Sequence, residues 1–187
     1  AADAAAILDA LDVPAAFVLG SSSGGYVAQQ LAVDHGQRVQ ALVLAGTPLA
    51  LRGRPGFADS VEALTDPVSV DWVRDSLSWF PLQHAVPEWY LQDRVLDGAA
   101  MPADIWRASL EGLCEATPPA ESGTIDAPAL ILWGGRDPVL SRADEETLCE
   151  RIAGSFLKIY PEAGHLVLWE RPAQVAADTT AFLGSLG

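Results

Sequence analysis

Two short apolar runs, residues 15–19 and 39–45, each stop at a glycine, and one helix-length stretch separates them. That alternation constrains the fold more than any other feature of the chain. Continuous apolar runs fit strands buried on both faces. Strands joined through helices run parallel, with helices covering the sheet on both sides. Upstream, Ala4, Ile7, Leu8 and Leu11 are spaced as one face of a helix, which Pro14 stops. Residues 25–34 read as the intervening helix, carrying Val27, Leu31 and Ala32. The alternation resumes late in the chain. Residues 129–133 read as a strand, Ser141 caps a helix that runs to about Ile152, and Gly154 closes it. Residues 156–160 read as a strand, and Pro172 begins a last helix through Phe182.

Between these blocks the pattern changes. Residues 51–123 offer no strand candidate, but three proline-started helix candidates, at Asp66-Pro67, Val86-Pro87 and Met101-Pro102. Four of the six tryptophans fall here: Trp72, Trp79, Trp89 and Trp106. The expected organisation is therefore a core split into 1–50 and 124–187, with 51–123 inserted as a helical cap rather than an independent domain.

With 187 residues, half of them hydrophobic, the chain can build one core carrying a modest insertion. Its net charge of −14 repels phosphate backbones and anionic lipid, so neither nucleic acid nor a membrane is an expected partner. No apolar run reaches the roughly 18 residues of a membrane span, and no secretion signal is visible, so the expected location is the cytoplasm. Cys114 and Cys149 form no CxxC pair and read as buried small hydrophobes. No metal site or cofactor is expected.

Gly20-Ser21-Ser22-Ser23-Gly24 matches G-x-S-x-G and sits where the motif must sit, between a strand and a helix. A serine on such a strained turn needs neighbours of little bulk two residues before and two after. Gly20 and Gly24 meet that need, and Gly25 extends it. The register one residue on, with Ser23 as the exposed serine and Ser21 as the small neighbour, is also open. With Ser22 at the turn, its hydroxyl stands at a helix N-terminus, where N–H groups favour developing negative charge. A serine hydroxyl needs a base. Of three histidines, His35 is explained as a helix C-terminal residue and His84 as a surface or pocket residue. His165 follows a strand, on the edge where ligands collect in parallel sheets. Asp137 follows the strand 129–133 through Gly134-Gly135-Arg136 and can orient the base. A turn-forming Asp before Pro138 is the competing account, and the order Ser22, Asp137, His165 weighs against it.

These segments together resemble the α/β-hydrolase fold superfamily. Phe17-Val18-Leu19-Gly20-Ser21-Ser22-Ser23-Gly24-Gly25 is similar to its strand-elbow segment, where His usually stands in place of Ser21. Ala127-Pro128 through Asp137 resembles its acid strand, and Ala163-Gly164-His165 with Glu170-Arg171-Pro172 its histidine loop. The resemblance implies a mostly parallel sheet flanked by helices, with a catalytic triad of Ser22, Asp137 and His165 and with the Ser23 backbone N–H as one oxyanion donor. It implies acyl transfer to water through an acyl-serine, and the four tryptophans of the cap, as candidate substrate contacts, point to a small, largely apolar ester or lactone. C–C bond hydrolysis, cofactor-free perhydrolysis and N-terminal peptide cleavage share the fold, and a non-catalytic binding protein is the alternative outside it. Haloalkane dehalogenation would need Asp at position 22. The family's sheet has further strands before the elbow, and one of their loops gives the second oxyanion donor. Only one helix precedes the elbow strand here, so that donor is absent from the sequence. The chain is accordingly expected to be a fragment, or to require a partner segment that supplies those strands.

Overall fold

The computed structural model describes residues 1–51 and 53–187. Four strands form one sheet in the order β1-β2-β3-β4: Ala16–Ser21, Val39–Ala45, Ala129–Gly134 and Phe156–Tyr160. Every neighbouring pair is parallel. Gly20 lies opposite Leu44, Leu44 opposite Ile131, and Ile131 opposite Leu157, so the four C-terminal ends share one edge.

Side chains alternate across this sheet. Leu42, Leu44, Ala129 and Ile131 pack on one face with Ala5 of α1 (Ala2–Ala10), Ala28 and Leu31 of α2 (Ser23–Asp34) and Leu148 of α8 (Arg142–Arg151). Ala41, Val43, Leu130 and Leu132 pack on the other with Val167 of α9 (Val167–Glu170) and Val175 and Phe182 of α10 (Pro172–Gly184). β2 and β3 are therefore almost wholly buried, which is why they read as nearly continuous apolar runs, with only the exposed Gln40 interrupting. β1 is an edge strand. Its Phe17 and Leu19 are 51% and 50% exposed, on the face of Ala41 and Val43.

Between β2 and β3 lie α3 (Ala58–Glu62), α4 (Val70–Ser76), α5 (Glu88–Ala100), α6 (Ala103–Glu115) and α7 (Pro119–Ser122). No strand occurs there among the described residues. These helices carry an apolar cluster of their own around Val61, Val73 and Val95, into which Trp72, Trp79 and Trp106 pack.

The proline expectation needs correction. Pro87 and Pro102 stand one residue before their helices, with extended ψ of 131° and 148°. They cap the helix rather than begin it. Pro67 starts no helix. α4 opens three residues later, where the Ser69 hydroxyl accepts the Trp72 N–H, a bond proline cannot supply. Asp66 instead serves α6, its Oδ1 accepting the Ala103 N–H at 2.8 Å. β1 also runs two residues beyond the predicted stop, and α2 begins two before the predicted start. Only Ser22 is left between strand and helix.

Candidate active site

Ser22 makes the whole turn from β1 into α2. Its φ of 49° and ψ of −122° lie in a region L-residues rarely adopt, at a cost of roughly 1–3 kcal/mol. Backbone bonds hold it there. The Ser22 N–H reaches Ala45 O at 2.9 Å, and the Gly25 N–H reaches Ser22 O at 2.9 Å. A Cβ on Gly20 would lie 2.7 Å from both Gly24 O and Gly25 Cα. The expectation for Gly24 fails, since a Cβ there would meet nothing within 4 Å. The crowded position is Gly25, where a Cβ would fall 2.0 Å from Thr47 Oγ1. Strand-to-helix crossing presses α2 onto the end of β2 at Gly25, while Gly24 faces outward.

The histidine comes from the loop after β4 and the acid from the loop after β3. Gly135 N–H to Tyr160 O and Arg136 N–H to Ala163 O, both 2.9 Å, lock the two loops together. Asp137 Oδ1 accepts the N–H groups of Val139 at 2.7 Å and Leu140 at 3.0 Å. Its Oδ2 lies 2.7 Å from His165 Nδ1. A carboxylate only accepts, so Nδ1 carries the proton and Nε2 is left as acceptor. Nε2 stands 2.9 Å from Ser22 Oγ. The Asp137 side chain is fully buried and that of His165 is 2% exposed. The structure thus joins Ser22, His165 and Asp137 in one chain, and the serine that meets the imidazole is Ser22, not Ser23. Ser23 opens α2, so its N–H belongs to the first turn, which has no carbonyl four residues back within the helix.

β2 places only small groups at this edge. Gly46 has φ of 55°, and a Cβ there would lie 2.7 Å from His165 O. Thr47 is fully buried against Gly25, with its hydroxyl 3.4 Å from Gly20 O.

Phe80 escaped the sequence reading, and Glu170 entered it only as part of the histidine-loop segment, with no role of its own. Phe80 stacks on the His165 ring, with centroids 4.9 Å apart and planes 23° apart. Nothing local marks it, because it comes from the helical segment. Glu170 is buried, and its two oxygens accept the Gly164 and Gln83 N–H groups at 3.1 Å each. It ties the histidine loop to the helical segment. A lone acid closing the apolar stretch Leu166–Trp169 was the available signal. His84 lies outside the serine's surroundings, with Nε2 2.8 Å from Glu162 O. His35 ends α2.

Ser22 and His165 open into a cavity of about 790 Å³. Tyr26, Phe57, Trp79, Phe80 and Trp106 give it an aromatic wall. The predicted tryptophans separate here. Trp79 and Trp106 line the cavity. Trp72 packs edge-on against both from behind, at 5.6 and 5.4 Å, its Nε1–H donated to Ser60 Oγ. Trp89 is 67% exposed, set against Tyr90, and is not part of the wall. Arg54 lines the cavity too, its guanidinium held by Asp59 and Glu62. Among the described residues no cluster of His, Cys, Asp or Glu suits a metal ion, and no helix is long and apolar enough to cross a membrane.

The model of the family described as serine aminopeptidase, S33, matches residues 2–172. The 3-oxoadipate enol-lactonase 2 of Acinetobacter baylyi is 30% identical over 181 residues, covering 91% of this chain and 64% of its own length. The 2-hydroxymuconate semialdehyde hydrolase of a Pseudomonas species is 29% identical, covering 96% and 66%. The chain therefore spans about two thirds of these relatives. A hydrolase structure from Pseudomonas aeruginosa superposes with a TM-score of 0.78 at 28% identity, over 97% of this chain and 69% of that one. An esterase from Exiguobacterium antarcticum superposes at 0.82 with 22% identity, over 97% and 71%, a likeness of fold. With its parallel sheet, its helices on both faces and its elbow serine, the chain belongs to this serine aminopeptidase, S33, family of α/β-hydrolases.

Proposed function

We propose that this chain carries the catalytic machinery of a serine hydrolase that cleaves a small, largely apolar ester or lactone. The observation that carries the reading is the Ser22–His165–Asp137 hydrogen-bond chain opening into an aromatic-walled cavity. Ser22 Oγ attacks the substrate carbonyl carbon while its proton passes to His165 Nε2. Asp137 holds the imidazolium that forms. Negative charge on the carbonyl oxygen is met by the Ser23 N–H. The intermediate collapses, and His165 returns the proton to the departing alkoxide. Water, activated by the same imidazole, then releases the acid from Ser22.

In this reading the segment 51–123 is a cap whose inner wall selects substrate. The 3-oxoadipate enol-lactonase supports the lactone part. C–C bond hydrolysis is the second reading, favoured by the 2-hydroxymuconate semialdehyde hydrolase. The open edge of β1, with Phe17 and Leu19 half exposed, supports a further strand-forming segment pairing there and supplying the second oxyanion donor. The two free cysteines suit a reducing compartment, and we place the protein in the cytoplasm.

The test is a fluorophosphonate probe on the full-length protein, followed by peptide mapping and assay on esters, lactones and C–C substrates. Label on Ser22 with ester turnover is expected. Label on Ser23, or a folded protein that neither labels nor turns over substrate, overturns the reading.

A further inference from the structure

One acid in the sheet core is out of place. Glu145, on the first turn of α8, is completely buried, and neither carboxyl oxygen has a hydrogen-bond partner. Other acids of the fold show how carboxylates are accommodated. Asp137 has two backbone N–H groups and an imidazole. Glu170 has two backbone N–H groups. Asp144 takes the Ser141 hydroxyl at 2.7 Å. Glu145 is also tied to the loop that presents Asp137. Asp137 Oδ1 holds the Leu140 N–H, Ser141 caps α8, and the Glu145 N–H reaches Ser141 O at 3.3 Å.

A buried carboxylate without donors or a counter-ion is far more costly than the neutral acid. The charged groups acting on Glu145 are Asp137 and Asp144, and both oppose its ionisation. The cations nearby in the chain are engaged elsewhere. Arg142 pairs with Glu146, Arg151 with Glu121 of α7, and Lys158 of β4 with Asp178 of α10. β3 brings no ionisable side chain to α8.

We infer that Glu145 is a positioning residue that works as an uncharged acid, leaving Asp137 the single carboxylate that orients His165, and that its ionisation switches the site off. This rests on the hydrolase reading above. A deprotonated Glu145 would put a buried negative charge, without donors of its own, where it repels that of Asp137. The pair relieves that by turning Asp137 away from His165 Nδ1 or by opening the first turn of α8. Either way the imidazole loses its fixed tautomer. Burial, with Asp137 adding to it, pushes the Glu145 carboxyl up to about 8, so the switch falls in an accessible range.

The experiment measures kcat/KM against pH on an uncharged alkyl ester by pH-stat, with full-length protein and its Glu145→Gln variant. Gln keeps the shape and cannot ionise. The parent's rate is expected to fall above pH about 8, to about a tenth of its maximum one unit higher. The variant's alkaline limb should move up by about one unit or more. Glu146→Gln, on the exposed side of α8, should retain the parent profile. Melting temperature gives a readout that needs no activity. The parent should lose stability relative to Glu145→Gln as pH rises from about 4.5 to about 8, because the folded state binds this proton more tightly than the unfolded one. An unchanged alkaline limb in an active variant, or a uniform loss of rate at every pH, overturns the inference and leaves the hydrolase reading standing. Failure of the parent to label or turn over substrate overturns that reading instead.

Discussion

The edge of the sheet and the helical segment above it are built in different ways. At the sheet edge, position is set by the backbone. Parallel register aligns the ends of β1, β3 and β4, and loop-to-loop N–H···O=C bonds fix Asp137 relative to the strand that leads to His165. In the helical segment, position is set by rings against rings. Phe57 stacks on Trp79 at 4.5 Å, and Trp72 wedges edge-on between Trp79 and Trp106. The regions meet at Phe80 on His165 and at Glu170 holding Gln83. The difference assigns two kinds of work. Chemistry that depends on tenths of an ångström sits where hydrogen-bonded backbone fixes it. On the proposed function, the choice of substrate would fall to a wall that can be repacked by changing side chains.

If that division holds, damage at the sheet edge lowers kcat and damage in the wall redistributes it. The largest effect is expected for Asp137→Asn, which keeps the shape but favours the wrong imidazole tautomer. Steady-state kinetics on a good ester should show kcat lower by on the order of 10⁴-fold. A fall of only a few-fold would move the orienting role to another carboxylate. Next comes the pair Gly25→Ala and Gly24→Ala. The first drives a Cβ into Thr47, and overpacking of this kind costs about 1–3 kcal/mol. The second meets open space at a helical position and should unfold in urea at or slightly above the parent midpoint, since it also removes glycine's conformational freedom. Equal midpoints for the two variants would mean that α2 shifts freely at this turn. The smallest effects belong to the wall. Trp79→Ala and Trp106→Ala should change the ratio of kcat/KM between short and long acyl esters by about tenfold, a common scale for one or two methylenes of pocket contact. The ratio cancels any loss of folded protein. Trp89→Ala should leave it within about twofold, as surface changes usually do. A Trp89 effect as large as that of Trp79 would erase the distinction between wall and surface.

The same division explains what the sequence revealed. β2 is found at the residues its apolar run marks, because a parallel strand buried on both faces leaves a clear pattern, and β4, a half-exposed edge strand carrying Lys158, is found from its short run of large apolar residues between Gly154 and Pro161. Ser22, Asp137 and His165 stand out because each lies within a few residues of a strand end, and local spacing suffices to find them. Phe80 does not stand out. Its contact with His165 spans 85 positions of chain and depends on how the helical segment folds back. The tryptophans were legible as a group but not individually. Composition says that an aromatic cluster exists, while helix rotation decides that Trp106 faces the cavity and Trp89 faces solvent. Glu145 gave no sign at all. An acid in the first turn of a helix is what the helix dipole favours, and only the packing of α8 against the sheet shows that this one is sealed in.

β2 gives the site no reactive group, yet its tip governs the fit of those that do. Thr47 is pressed against Gly25 on the elbow side, and Gly46 faces the His165 carbonyl on the other. The tip therefore acts as a shim between the elbow and the histidine loop, across which Ser22 Oγ and His165 Nε2 stand 2.9 Å apart. Such a joint has no slack to take up error. A methyl group added at position 46 has no open direction to go, so it would be passed on as displacement to the imidazole, and the tolerance of the whole assembly is that of its thinnest spacer.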